Sequence, residues 1–150
     1  MEPLHHLIMK ANAAFSRKIL AGAAQMGLTP GQPKVLEFLR MVPEADQKTI
    51  ASRCEIEPAT VGSILLRMER SGLVVRQQHQ GNRRSLFVSL TPLGRETAEK
   101  MALVFQAADE QAARSLTPEE QQTLCALLER VCDGLSSSAS PSQTQERQDR

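Results

Sequence analysis

Pro58-Ala59-Thr60-Val61-Gly62-Ser63-Ile64-Leu65-Leu66-Arg67-Met68-Glu69-Arg70 is the run from which the rest of the chain is read. Val61, Ile64, Leu65 and Met68 recur at helical spacing, whereas Ala59, Thr60, Ser63, Arg67 and Arg70 project elsewhere. The helix therefore packs on one face and leaves the other free to read. Pro58 suits its first position, and Gly72 stops it just past Ser71.

Upstream, Asp46 is a plausible N-cap for a short helix over Gln47–Cys54, in which Ile50 and Cys54 share a face and Ala51 is small enough for a close crossing. Glu55-Ile56-Glu57 makes the turn between the two helices. Downstream, Leu73-Val74-Val75 opens an extended run, Gln80-Gly81-Asn82 carries turn residues, and Leu86-Phe87-Val88-Ser89-Leu90 returns. Gln77–Ser85 is expected to form the exposed tip of that hairpin. Asp46–Thr91 thus reads as a helix, a turn, a second helix and two strands joined by an arginine-bearing loop, a winged helix-turn-helix that binds DNA.

The chemistry fits double-stranded DNA. The Pro58–Arg70 helix is about as wide as the major groove, with small side chains at its leading end and donors beyond them. Ala59 can touch a thymine methyl, Thr60 and Ser63 can bond base edges or phosphates, and Arg67 and Arg70 lie further along. The amides at the Pro58 end favour a nearby phosphate. Arg83 and Arg84 flank the hairpin tip, where a narrow minor groove attracts them electrostatically. Each signal alone has a bland reading as packing or a solvated turn; their ordered combination does not.

The other segments are helical. Leu4, Leu7, Ile8, Ala11, Phe15 and Ile19 form an apolar stripe in a first helix reaching about Met26 and ended by Gly27. A second covers Pro30–Met41 with Val35, Leu36 and Leu39 inward, its start delayed if Pro33 intrudes. Leu-Thr-Pro occurs at residues 28–30, 90–92 and 116–118, each time reading as a threonine cap before a helix; Glu120 completes a capping box with Thr117. After Thr91 a long helix runs to about Arg114, and a last one places Leu124, Leu127, Leu128, Val131 and Leu135 on one stripe. These faces exceed what a small winged-helix core can cover, so pairing with a second copy is expected. The division expected is a helical dimerisation region over 1–28 and 92–135, a winged helix-turn-helix over 29–91 and a disordered tail over 136–150. The fold class is mainly α with a small β-hairpin wing (α+β).

Composition bounds the partners. A chain of 150 residues with 41% hydrophobic content can bury one substantial core or share one with a copy of itself. Its 18 basic and 17 acidic residues exclude a uniformly basic protein. The nucleic-acid signal is local: between Arg53 and Arg95 stand Arg53, Arg67, Arg70, Arg76, Arg83, Arg84 and Arg95 against Glu55, Glu57 and Glu69. Arginine suits this role because its planar fork donates two hydrogen bonds to phosphate or guanine at once. Cys54, Cys125 and Cys132 form no CxxC pair, which fits a reducing, cytoplasmic setting. Neither a signal peptide nor a membrane span is legible.

The chain resembles the MarR family of bacterial winged-helix transcription regulators. The family wing pattern, Asp-x-Arg followed after five residues by Leu-Thr-x-x-Gly, here reads Asn82-Arg83-Arg84 and then Leu90-Thr91-Pro92-Leu93-Gly94. Pro58-Ala59-Thr60-Val61 and Arg67-Met68-Glu69-Arg70-Ser71-Gly72-Leu73 are similar to the family's recognition helix. The resemblance implies a homodimer joined by its terminal helices, each copy placing one helix in the major groove and one wing in the minor groove. Arg84 matches the wing arginine, and Gln47, Thr60, Ser63 and Arg67 fall where the family commonly touches DNA. With Pro58, Ala59, Arg70, Asn82 and Arg83 these make up the expected DNA-binding set. Three departures stand out: Asn82 replaces an aspartate that would hold the wing arginine, and Gly62 and Leu66 stand where many relatives are polar.

The resemblance also implies repression relieved by a small amphipathic or aromatic effector; Phe15, Phe38, Met41, Met101 and Phe105 are possible pocket liners, but most of them read as ordinary core and none is assigned to a ligand site. An enzyme is not expected: of His5, His6 and His79, the adjacent His5 and His6 point to different sides of a helix and lack a carboxylate or cysteine at ligand spacing, Cys125 and Cys132 read as packing, and no phosphate loop, nucleophile elbow or HExxH is present. No cofactor or metal is expected. Two other readings stay open, a thiol-redox-responsive regulator and a winged-helix module that binds protein. Against the first, Cys54 is expected to face the core, where burial disfavours the thiolate.

Overall fold

The structure, a computed structural model, describes residues 1–137, the side chains of 82–84 excepted. In order, the elements are α1 (Leu4–Gln25), α2 (Gln32–Met41), β1 (Ala45–Asp46), α3 (Gln47–Cys54), α4 (Pro58–Arg70), β2 (Val74–His79), β3 (Asn82–Leu90), α5 (Pro92–Ala112) and α6 (Pro118–Ser136). The chain divides into two compact units, residues 1–112 and 113–150.

In the first unit α2 contributes Val35, Leu36 and Leu39 to a core shared with Ile50 of α3, Val61, Leu65 and Met68 of α4, Val74 and Val88 of the sheet and Met101 of α5. Each of these side chains is essentially shielded from solvent, and burial of a large aliphatic side chain stabilises by about 1.5–3 kcal/mol. α5 packs against both α1 and α2. Only Ile19 and Ala23 of α1 are buried, while Leu4 and Leu7 near its start stay exposed.

The sheet is antiparallel in the order β1-β3-β2. β1 was not legible: Ala45 pairs with Val88 and Asp46 with Phe87, where sequence reading sees only a linker and a cap. Two residues carry no period. The expected tip over Gln77–Ser85 is also corrected, because the strands run to His79 and restart at Asn82, leaving Gln80 and Gly81 as the turn. The ladder shifts register between Gln78 and His79, and a bulge of this kind bends and twists the strand that carries it.

Cap chemistry holds at two of the three Leu-Thr-Pro sites. Thr91 Oγ1 accepts the Gly94 N–H at 2.9 Å and donates to the Gly72 carbonyl at 2.6 Å, while Thr91 N–H reaches the Leu73 carbonyl at 3.0 Å. These bonds latch the start of α5 onto the α4–β2 turn. Gly94 lies so close to that turn that a Cβ there would collide with the Leu73 carbonyl oxygen, which is a backbone atom and cannot swing away. At Thr29 the expected cap is absent: Gly31 precedes α2, Pro33 sits in its first turn, and the buried Gln32 turns back to accept the Thr29 N–H at 3.2 Å.

The second unit contains α6, opened by the expected capping box. Thr117 Oγ1 accepts the Glu120 N–H at 3.2 Å and Glu120 Oε2 accepts the Thr117 N–H at 2.8 Å. No residue of α6 is buried, and Leu124, Leu127, Leu128 and Leu135 are all exposed. Of the tail expected over 136–150, Ser136 closes α6 and Ser137 is its C-cap; the remainder lies outside the described residues.

Candidate nucleic-acid interface

α3 and α4 form the helix-turn-helix. The Asp46 carboxylate accepts the Thr49 N–H at 2.7 Å and fixes the start of α3. Hydrogen bonds from Thr49, its hydroxyl and then its backbone N–H, hold the Asp46 carboxyl below the usual aspartate range. Glu55 ends α3 in the left-handed conformation at φ 53°, and its N–H bonds back to the Ser52 carbonyl. That reversal sends the chain into α4, where Val61, Ile64, Leu65 and Met68 are buried.

Six residues of the expected set lie on α4. Pro58, Ala59, Thr60, Ser63, Arg67 and Arg70 are all exposed, as is Leu66. The Ser63 hydroxyl donates to the Thr60 carbonyl at 2.9 Å, so in the free protein it offers an acceptor outward. Gln47, half-buried at the start of α3, lies against Gly62: a Cβ on Gly62 would stand 3.2 Å from Gln47 Nε2. This close approach gives Gly62 a packing role that helix periodicity does not reveal. Asn82, Arg83 and Arg84 open β3 immediately after the turn, and their side chains lie outside the described ones.

Among the described side chains, two arginines of the basic segment are engaged elsewhere. Arg76 pairs with Glu69 at 2.9 Å, which joins β2 to the last turn of α4. Arg53 stands over the Phe38 ring at 5.8 Å. Sequence reading also missed a contact at the hairpin: His79 Nε2 meets Glu44 Oε1 at 2.6 Å and its ring lies 4.2 Å from that of Phe87. Glu44 and His79 are 35 positions apart, so no local spacing announces the pair.

The MarR family model matches residues 26–85. The homoprotocatechuate degradative operon repressor of Escherichia coli is 35% identical over 103 residues, covering 68% of this chain and 69% of the repressor. The chain belongs to the MarR family. A transcriptional repressor of Mycobacterium tuberculosis is 27% identical over 129 residues, 86% of this chain and 93% of its own. Among solved structures, BpsR of Bordetella bronchiseptica superposes with a TM-score of 0.80 at 25% identity, over 88% of this chain and 94% of that one. A probable transcriptional regulator from Pseudomonas aeruginosa gives 0.76 at 28%, over 87% and 97%. The winged helix-turn-helix is therefore that of a MarR transcription regulator.

A cavity lies beside the helix-turn-helix. An open groove of about 680 Å³ is lined by Phe38 and Met41 of α2, Phe105 of α5, and Lys34, Arg53 and Cys54 among others. Of the five side chains named as possible liners, Phe38, Met41 and Phe105 border this groove, while Met101 is fully buried and Phe15 packs on the core. Cys54 is itself buried, its thiol donating to the Lys34 carbonyl at 3.6 Å. Burial pushes that thiol above the usual cysteine range, against a smaller opposing pull from the Lys34 charge. Cys125 and Cys132 are exposed on α6. Among the described residues no cluster of His, Cys, Asp or Glu could hold a metal ion, and no helix is long and apolar enough to cross a membrane.

Proposed function

We propose that the protein is a sequence-specific, homodimeric DNA-binding repressor whose two copies read a pseudo-palindromic operator. α4 enters the major groove, and the β2–β3 turn brings Arg83 and Arg84 to the minor groove. One observation carries this reading: α4 buries every large apolar side chain except Leu66 and turns Thr60, Ser63, Arg67 and Arg70 outward together. Gln47, at the start of α3, extends that face. Half-sites about one helical turn apart follow from the two-fold symmetry.

A small aromatic or amphipathic ligand releases the operator. The groove between Phe38, Met41 and Phe105 offers apolar walls, and Lys34 and Arg53 with the carboxylates of Glu37 and Glu55 supply its polar lining. Among the relatives, DNA binding by BpsR is regulated by 6-hydroxynicotinic acid. A ligand that binds the groove better in the arrangement unfit for DNA shifts the population away from the bound state. Thiol oxidation is the weaker reading, because Cys54 is held as a buried neutral thiol.

The test is a titration of the full chain with duplexes selected from a random pool, repeated at several salt concentrations. Log K is expected to fall with log salt by about 0.9 for each phosphate neutralised. A protein that selects no duplex, or binds with no salt dependence, would overturn the assignment.

A further inference from the structure

Leu66 breaks the character of the surface it belongs to. Along α4, Ala59, Ser63, Leu66 and Arg70 follow one another at i, i+4, i+7 and i+11, a single line on a helix with 3.6 residues per turn. That line runs opposite the buried Val61, Ile64, Leu65 and Met68. Leu66 is 37% exposed and is not among the apolar side chains packed on the core. An isolated exposed leucine is ordinary on most surfaces, but this one sits between a hydroxyl and a guanidinium at the centre of the proposed reading face.

The major-groove edge of DNA presents one apolar group of any size, the 5-methyl of thymine; cytosine offers only a C5–H, and the other groups there are hydrogen-bond donors or acceptors. A leucine side chain gains by covering that methyl. Against adenine, guanine or cytosine it strips water from a polar edge and returns no hydrogen bond, which is unfavourable. The same side chain therefore rewards one base and penalises the others.

We propose that Leu66 is a specificity-determining contact that packs on a thymine methyl within each operator half-site. The inference rests on the assignment of α4 to the major groove and adds the base chemistry that its central residue reads.

The experiment uses the full chain and its own selected operator. Each thymine of a half-site is replaced in turn by deoxyuridine, which removes only the methyl, and affinity is measured for the wild type, Leu66→Ala and Leu66→Met. One thymine is expected at which methyl removal weakens the wild type about fourfold, the worth of one buried methyl-sized group. Leu66→Ala should be indifferent to the same replacement, and Leu66→Met should recover part of the sensitivity. Alanine is the strongest helix former and the site is exposed, so the fold should be kept, as thermal unfolding checks. If no thymine methyl matters, or if Leu66→Ala loses as much as the wild type at each one, the contact is refuted while the major-groove reading survives. If no duplex is selected at all, both fall together.

Discussion

Gly62 shows how a residue that weakens its own helix can serve the surface beside it. Glycine within a helix costs roughly 1 kcal/mol relative to alanine, yet a Cβ here would press on Gln47 Nε2 at 3.2 Å. The obstructing atom ends a flexible side chain, so it can move. Gly62→Ala is therefore expected to raise the unfolding free energy by up to about 1 kcal/mol while displacing Gln47 and weakening operator binding; a variant that gains stability and binds unchanged would remove Gln47 from the proposed contacts. Asp46 gives a second outcome at this scale. Its folded carboxyl titrates below its unfolded value, so its contribution is complete above the unfolded value near pH ~4 and is lost as pH falls through the lower folded value. Asp46→Ala should cost about 1 kcal/mol at neutral pH, and the gap to wild type should close in acid; chemical denaturation at pH 7 and at pH 2–3 reads both. The cap was legible because Asp46 bonds three residues along its own chain. The role of Gly62 was not, because Gln47 reaches it from another helix.

The wing is the element whose placement depends most on distant partners. β2 is tied to α4 by Arg76–Glu69 at 2.9 Å and to the segment before β1 by His79–Glu44 at 2.6 Å. In both contacts the carboxylate is well exposed, and an exposed ion pair such as Arg76–Glu69 contributes about 0.2–1 kcal/mol. Such pairs matter here for orientation more than for stability. Glu44→Gln is expected to leave thermal unfolding nearly unchanged and to lower operator affinity on the order of two- to fivefold. In an Arg84→Ala background the same change should have no further effect, since the two would act through one contact. Independent losses in that double-mutant cycle would separate the clamp from the wing arginine. Both hairpin strands were readable from Val74, Val75 and Leu86–Leu90, because alternation and β-branched side chains are local signals. The length of the wing was not: Gln77, Gln78 and His79 are polar, and their pairing with residues of β3 is fixed by the ladder and not by their own type. β1 escaped for a related reason, as two residues become a strand only when Val88 and Phe87 arrive opposite them.

For the molecule as a whole, the apolar side chains the fold leaves uncovered carry the argument. α6 buries nothing, yet Leu124, Leu127 and Leu128 recur at helical spacing and stand 44%, 48% and 45% exposed. Toward the other end of the chain Leu4 and Leu7 of α1 are exposed as well. The surplus was visible in the sequence because a count of apolar stripes needs only periodicity; which surface covers it depends on a second chain that one sequence does not display. If that cover is another copy, replacing Leu124 and Leu128 together by aspartate places two charges where two subunits must exclude water. Sedimentation should then report a monomer, and the unfolding midpoint should cease to depend on protein concentration. Each monomer keeps the core formed by α2, α3, α4, the sheet and α5, so most of the helical signal should survive. Operator affinity should nonetheless collapse by about 10²–10⁴, because the second reading head no longer arrives at high effective concentration once the first is bound. A variant that stays dimeric with its affinity intact would show that these leucines are covered in some other way, and one that turns monomeric with its affinity intact would show that a single head suffices.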